Sequence, residues 1–241
     1  MIEFFKIYKT EYEKKRYGSY NDGGYVILDL NSEEYDILVS CGISDDINFE
    51  QHFLCKHDKI NCIAFDGTID HLPVNNDRIN FIKKNIGPIN DEKNTNLHYL
   101  LEQYKNVFLK MDIETYEFLW INSLSNDHLK NIKQIVIEFH FPFTNHDLSH
   151  LDNKTSVSDK MNCFKKLSET HFLVHLHGNN CCGTTLFENT IVPNVFECTF
   201  IRKDLVKNFV GYNNESIPSK LDRPNVSGNG EVYLNHYPFV I

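Results

Sequence analysis

Seven short apolar runs with strand character punctuate the chain, at Tyr35–Cys41, Ile60–Asp66, Ile79–Lys83, Val107–Ile113, Gln134–His140, Phe172–His177 and Val195–Ile201. Most are separated by stretches with helical spacing. Phe49, Phe53 and His57 fall four apart after the first run. Leu97, Leu100, Leu101 and Tyr104 form a stripe before the fourth, and Tyr116, Leu119, Trp120 and Ile121 form another after it. Strands that alternate with helices are joined by crossovers, and crossovers place strands parallel with helices on both faces. The chain is therefore expected to be α/β, with a seven-stranded, mostly parallel, Rossmann-like sheet.

The alternation breaks near the end. Thr155–Thr170 reads as a helix opened by Ser/Thr/Asp caps and carrying Met161, Phe164 and Leu167, and it leads into the sixth run. A short polar stretch, not a helix, then precedes the seventh, so the last two strands are expected to pair antiparallel at one edge. A dinucleotide dehydrogenase sheet does not end this way. Two regions fall outside the scheme: the glycine- and aromatic-rich Lys14–Asp29, and the polar loop Phe141–Lys154.

The 241 residues, 41% hydrophobic and 13% aromatic, suffice for one sizeable core. One domain over 1–241 is expected, with an N-terminal cap segment at 1–34 and a wrapping tail at 205–241. No run of eighteen apolar residues occurs, and the opening MIEFFKIYKT mixes charges into its apolar stretch, so the protein is expected to be cytoplasmic, without membrane or secretory segments. Seven cysteines without regular spacing, two of them the adjacent Cys181 and Cys182, do not form a disulfide framework and fit a reducing compartment. A net charge of −9 with both signs interspersed gives no footprint for nucleic acid or an anionic membrane and leaves a small-molecule or glycan partner.

Four constellations carry chemistry. In Tyr35–Glu50 an apolar strand breaks at Ser40-Cys41-Gly42 and runs into an acid-rich helix start. Small residues at such a turn let a nucleotide-like ligand approach the backbone. A single glycine makes a poor pyrophosphate cradle, and acids there would repel a pyrophosphate while tolerating a cation. The next strand ends in Asp66-Gly67, where a carboxylate can accept both hydrogen bonds of a ribose diol. Phe108–Glu114 delivers Asp112 and Glu114 to one side of a strand end, and Ile135–His140 brings Glu138 and His140 beside them. Such carboxylates can favour a bound cationic group, take a hydroxyl proton, or hold a divalent ion. His175 and His177, followed by Asn179, Asn180 and Cys181, share a strand face and are expected at the pocket rim. No second Cys/His pair stands at a zinc spacing, and no metal site is assigned.

In that order, Tyr17–Val26, Val39–Glu50, Phe65-Asp66, Leu109–Glu114, Ile137–His140, His177–Asn180 and Val192–Glu197 resemble the FkbM-like branch of class I methyltransferases. The resemblance implies S-adenosylmethionine as donor and transfer to oxygen on a sugar or other hydroxylated metabolite. Carried over by position, it puts Ser40, Cys41 and Gly42 at the methionine part, Asp66 with Gly67 at the ribose, and Asp112 with Glu114 at the reaction centre; acid–base chemistry then leaves Asp112 or His140 to assist deprotonation of the acceptor. Thr115 stands where the family usually has glycine, and Cys41 is unusual in the first turn. The competing expectations are an NAD-dependent enzyme acting on a sugar nucleotide, and a methyltransferase-like binding module without catalysis.

Overall fold

The computed structural model describes residues 2–30, 35–144 and 155–241. A short 3-10 helix at Ile2–Phe5 precedes strands β1 (Glu13–Gly18), β2 (Gly24–Asp29) and β3 (Ile37–Cys41), then helix α1 (Asn48–Lys56). Strands β4 (Cys62–Phe65), β5 (Ile79–Ile82), β6 (Asn85–Ile86) and β7 (Asn94–Thr95) lead to α2 (His98–Gln103) and β8 (Val107–Met111). Helices α3 (Glu117–Ser123) and α4 (Asn126–Lys130), β9 (Ile132–His140), α5 (Val157–Thr170), β10 (His171–Gly178), β11 (Thr184–Phe187), β12 (Thr190–Pro193) and β13 (Val195–Arg202) follow.

The main sheet has seven strands in the order β10-β13-β9-β8-β3-β4-β5. Its strands coincide with the seven apolar runs to within two residues at each end. Strands β3, β4, β5, β8 and β9 are parallel, while β13 lies antiparallel between β9 and β10. The expected antiparallel pairing of the last two strands is present. Every residue of β3, β8 and β9 is buried, as a parallel strand covered on both faces requires.

Two apolar clusters cover the faces. One joins Val39, Leu109 and Ile137 to α2 through Leu101, to α3 through Phe118 and Trp120, and to α5 through Met161, Phe164 and Leu167. Ser156 caps α5 by accepting from Asp159 N at 3.1 Å. The other cluster joins Leu38, Phe108 and Val136 to α1 through Phe49 and Phe53. Phe53 packs 4.3 Å from Phe108 between ring centroids, and full burial of one such ring contributes about 1.5–3 kcal/mol.

On this second face α1 shares the layer with the antiparallel β1–β2 hairpin, which is formed by the Lys14–Asp29 segment outside the strand–helix alternation. Its β2 strand is buried along its whole length. Gln134 of β9 fixes it: Oε1 accepts from Leu28 N at 2.7 Å and Nε2 donates to Leu28 O at 3.1 Å. The hairpin turn is held by Arg16, which donates to the carbonyls of Ser19, Tyr20 and Asn21.

The tail beyond β13 does more than wrap. Ile217, Leu234 and Phe239 enter the first cluster, and the Ile241 amide donates to Asn213 O at 2.8 Å. Among the described residues no helix is long and apolar enough to cross a membrane. Residues 145–154 of the expected Phe141–Lys154 loop lie outside the described residues.

Candidate active site at the carboxyl ends of the strands

Where β3, β4 and β8 end, a cavity of about 1070 Å³ opens. An open parallel sheet places a ligand site there because the strands diverge into loops on this edge. Gly42, Asp66 and Gly67, Asp112 and Glu114 all line it. Ser19–Gly23, the hairpin turn, supplies another wall, so the glycine-rich N-terminal segment does reach the site.

Gly42 adopts φ +80°, and its amide donates to Phe65 O at 2.9 Å. The Asp112 amide in turn donates to Cys41 O at 2.9 Å. A Cβ at Gly42 would fall 1.7 Å from Asp112 O, so only glycine lets β3 and β8 leave the sheet this close together. Ser40 and Cys41 do not present side chains to the cavity. The Ser40 hydroxyl is buried and donates to Glu50 Oε1, and the Cys41 thiol is in the core, its pKa raised by burial. Both sit inside a strand covered on both faces, so any contact they make with a ligand runs through backbone atoms.

Asp66 braces this turn. Oδ2 accepts from the amides of Ile43 and Ser44, each at 2.9 Å, and Oδ1 accepts from Thr68 N at 2.7 Å and Thr68 Oγ1 at 2.6 Å. Burial raises its pKa, but these four donors outweigh that and leave it below the ordinary carboxylate value. A ribose diol would have to share oxygens already engaged with the loop.

Glu114 and Thr115 both take positive φ, +52° and +79°. The turn therefore keeps the left-handed geometry that glycine favours, with threonine in its place. In the pairing of β8 with β9, Met111 lies opposite Ile137. Continuing that register brings the strand ends together: His140 Nε2 is 3.4 Å from Glu114 Oε2 and 3.9 Å from Asp112 Oδ1, and Nδ1 is 3.0 Å from Glu117 Oε1. Burial lowers the imidazole pKa, but Glu117, Glu138 and Asp112 more than offset this and bring it to about 10. Although its side chain is largely exposed, partial desolvation by neighbouring protein atoms raises Glu114, opposed by His140 and assisted by Asp112. Glu138 is fully buried, is pushed well above the ordinary carboxylate value, and accepts from Asn179 Nδ2 at 2.7 Å.

The expected pocket-rim role of the sixth run is not what the side chains do. His175 Nε2 lies 2.8 Å from Asp222 Oδ1, and His177 sits between Glu197 (3.4 Å) and Glu231 (3.3 Å). Asn180 binds the backbone of Val226 and Asn229. These groups are consumed in anchoring the C-terminal tail and do not line the cavity. Tyr25 and Glu50 are among the lining residues to which the sequence assigns no role. Tyr25 is 2% exposed and comes from the β1–β2 hairpin. Glu50, 1% exposed with Oε2 lacking a hydrogen-bond partner among the described residues, closes the Tyr35–Glu50 constellation and is the one acid on the otherwise apolar face of α1.

This sheet order, with β13 inserted antiparallel and the cavity at the ends of β3, β4 and β8, is the Rossmann-like class I methyltransferase fold. A model of the methyltransferase FkbM domain matches residues 8–157, more than half of the chain, which belongs to that family. No curated protein sequence matches the chain. Among solved structures, a putative hemolysin from Streptococcus thermophilus is 14% identical with a TM-score of 0.37, the match covering 75% of this chain and 64% of that one. The complex of the Haloferax volcanii Trm112 methyltransferase activator with a putative methyltransferase matches at 9% identity and TM-score 0.39, over 71% of this chain and 84% of that one. The plantazolicin methyltransferase BpumL in complex with SAH matches at 9% and 0.35, over 72% and 78%.

Proposed function

We propose that the protein is an S-adenosylmethionine-dependent O-methyltransferase acting on a hydroxyl of a sugar or other small metabolite. The observation that carries this reading is the cavity at the ends of β3, β4 and β8, with the Gly42 turn as its floor and Asp112 and Glu114 on its wall. The residues present fit the cofactor. The turn has one glycine and is flanked by Asp45, Asp46 and Glu50, an acidic surround that suits a sulfonium and an ammonium and opposes a pyrophosphate. The orphaned Oε2 of Glu50 is a buried acceptor that a ligand donor would satisfy.

Bound S-adenosylmethionine supplies an electrophilic methyl group to the acceptor oxygen. The protein's part is to hold that oxygen in line and to remove its proton, and positioning of this kind accounts for much of the rate. We assign the role of accepting that proton to Asp112, which lines the cavity and whose side chain is 26% exposed. His140 does not line the cavity, since Nδ1 is committed to Glu117 and Nε2 faces the two carboxylates. The Ser19–Gly23 turn, which also lines the cavity, is where the acceptor would be selected.

Calorimetric titration with S-adenosylmethionine and, separately, NAD tests this reading. Saturable binding of the first alone, weakened at least tenfold by Asp66→Ala, is the expected result. Binding of NAD alone would overturn it in favour of a nicotinamide enzyme. Cofactor binding with no methyl transfer to any hydroxylated acceptor would favour a binding module.

A further inference from the structure

The end of β8 and the end of β9 bring together a donor set that proton transfer alone does not require. One oxygen each from Asp112 and Glu114 and one nitrogen from His140 all lie within 4.8 Å of one another. We propose that Asp112, Glu114 and His140 form a binding site for one divalent cation of the Mg2+ or Mn2+ class on the wall of the cavity.

The arrangement is more than a group of surface acids. The His140 side chain is 9% exposed, and its Nε2 is aimed between the two carboxylates at 3.4 and 3.9 Å without a hydrogen bond to either. Asp112 Oδ1 is itself buried, with no hydrogen-bond partner among the described residues. Behind the ring, the fully buried Glu117 fixes its orientation by accepting from Nδ1 at 3.0 Å, the carboxylate–imidazole pairing that holds a metal-ligating histidine in one tautomer. Glu117 Oε1 is anchored from the other side by the Thr115 amide at 3.1 Å.

The spacing suits a small divalent ion. Ligand atoms bonded at about 2.1 Å stand about 3 Å apart when adjacent and about 4.2 Å apart when opposite. Small rotations of Asp112 and of the exposed Glu114 bring the observed separations into that range. Two carboxylates and one imidazole, with no thiolate among the group, select a hard or borderline ion over a soft one. Asp112 and Glu114 both line the cavity, so the remaining coordination positions face a ligand. Asp112 keeps its second oxygen for the acceptor proton. If the methyltransferase reading holds, an acceptor carrying neighbouring oxygens would complete the coordination. That consequence rests on the reading above, whereas the cation site does not.

The test is titration of the chelator-treated full chain with Mn2+, following free Mn2+ by electron paramagnetic resonance, with S-adenosylmethionine calorimetry on the same samples. One Mn2+ per chain is expected, displaced by excess Mg2+ and bound at least tenfold more weakly by Glu114→Gln and by His140→Gln. Failure to retain Mn2+ at millimolar concentrations would overturn the site and leave His140 as an internal ion-pair partner. Variants binding as the parent does would overturn it equally. Glu114 is 78% exposed, so its variant decides even if His140→Gln does not fold. S-adenosylmethionine binding without Mn2+ retention would overturn the cation site alone. Mn2+ retention without S-adenosylmethionine binding would support it while overturning the methyltransferase reading.

Discussion

His175 and His177, two residues apart on β10, are driven to opposite protonation states by what they face. Burial pushes His175 below the ordinary imidazole value even though Asp222 opposes it. Burial also acts on His177, but its hydrogen bond and charge pairing with Glu197, together with Asp222 and Glu231, raise it to about 9. The linkage signs are therefore opposite. His177 adds stability fully below the unfolded value of about 6.5 and loses it as pH rises through about 9. His175 favours its neutral form, so its contribution is full above about 6.5 and erodes as pH falls.

Urea unfolding of the parent and His177→Gln at pH 6 and pH 9.5 checks the alkaline limb. The variant is expected to lose on the order of 2 kcal/mol at pH 6, with most of that difference gone at pH 9.5. A difference that does not change with pH would refute the assignment. Because these groups anchor the tail and not the cavity, cofactor affinity measured at pH 6 should change less than threefold.

Gly42 tests the closeness of the two strand ends. Gly42→Ala places a Cβ 1.7 Å from the carbonyl oxygen of Asp112 at φ +80°, so both backbone and carbonyl must move. A loss of roughly 2–4 kcal/mol in stability is expected from strain of this kind. Cofactor binding should be abolished, since the displaced groups line the cavity. Gly87→Ala is the control: its nearest neighbour is Tyr116 Cδ1 at 4.0 Å, and its stability should stay within about 0.5 kcal/mol of the parent. Equal behaviour of the two variants would remove the special role of Gly42.

The sheet was legible because strands covered on both faces read as mostly apolar runs, interrupted in these seven only by single polar residues such as Lys110, Glu138 and Glu197. The hairpin was not. Its first strand, Glu13–Gly18, is half-exposed and reads as charged, and the glycines at its turn suggested a loop. The five-residue α4 is too short for periodicity to register and is marked only by its Ser125–His128 capping box. At the site, alternation along β8 and the ends of two adjacent strands sufficed to bring Asp112, Glu114 and His140 together. The sequence could not show that Asp66 is saturated by its own loop, that Ser40 turns inward to Glu50, or that His175 and His177 face the tail. Those outcomes depend on loops folding back over the sheet, which no local pattern encodes.

Gln134 gives the hairpin's docking a measurable consequence. It is fully buried near the start of β9, satisfies both backbone groups of Leu28, and donates to Tyr35 Oη at 2.7 Å. Gln134→Leu keeps the volume and the apolar surroundings but leaves a buried N–H and a buried C=O unpaired, at about 1–3 kcal/mol each. A loss of roughly 2–5 kcal/mol is expected, with hydrogen exchange accelerated first in Gly24–Asp29. Exchange rising uniformly over the sheet would show instead that the hairpin is not an independent layer.

Thr115 stands where the resemblance leads one to expect glycine, and its conformation gives that difference a sign. A β-branched residue at φ +79° is held in a region that costs an L-residue roughly 1–2 kcal/mol, and Glu114 beside it is also left-handed. The Thr115 amide donates to Glu117 Oε1, a bond that glycine would retain. Thr115→Gly relieves the strain but loosens the unfolded chain, which offsets about 0.5–1 kcal/mol of the gain. The net expectation is a modest stabilisation, up to about 1 kcal/mol by chemical denaturation, with methyl transfer retained. Thr115→Val keeps the branching and therefore the strain, and should not be stabilised. If glycine destabilises by more than about 1 kcal/mol, the Thr115 side chain supplies contacts that outweigh its backbone cost, and the turn has been rebuilt around threonine.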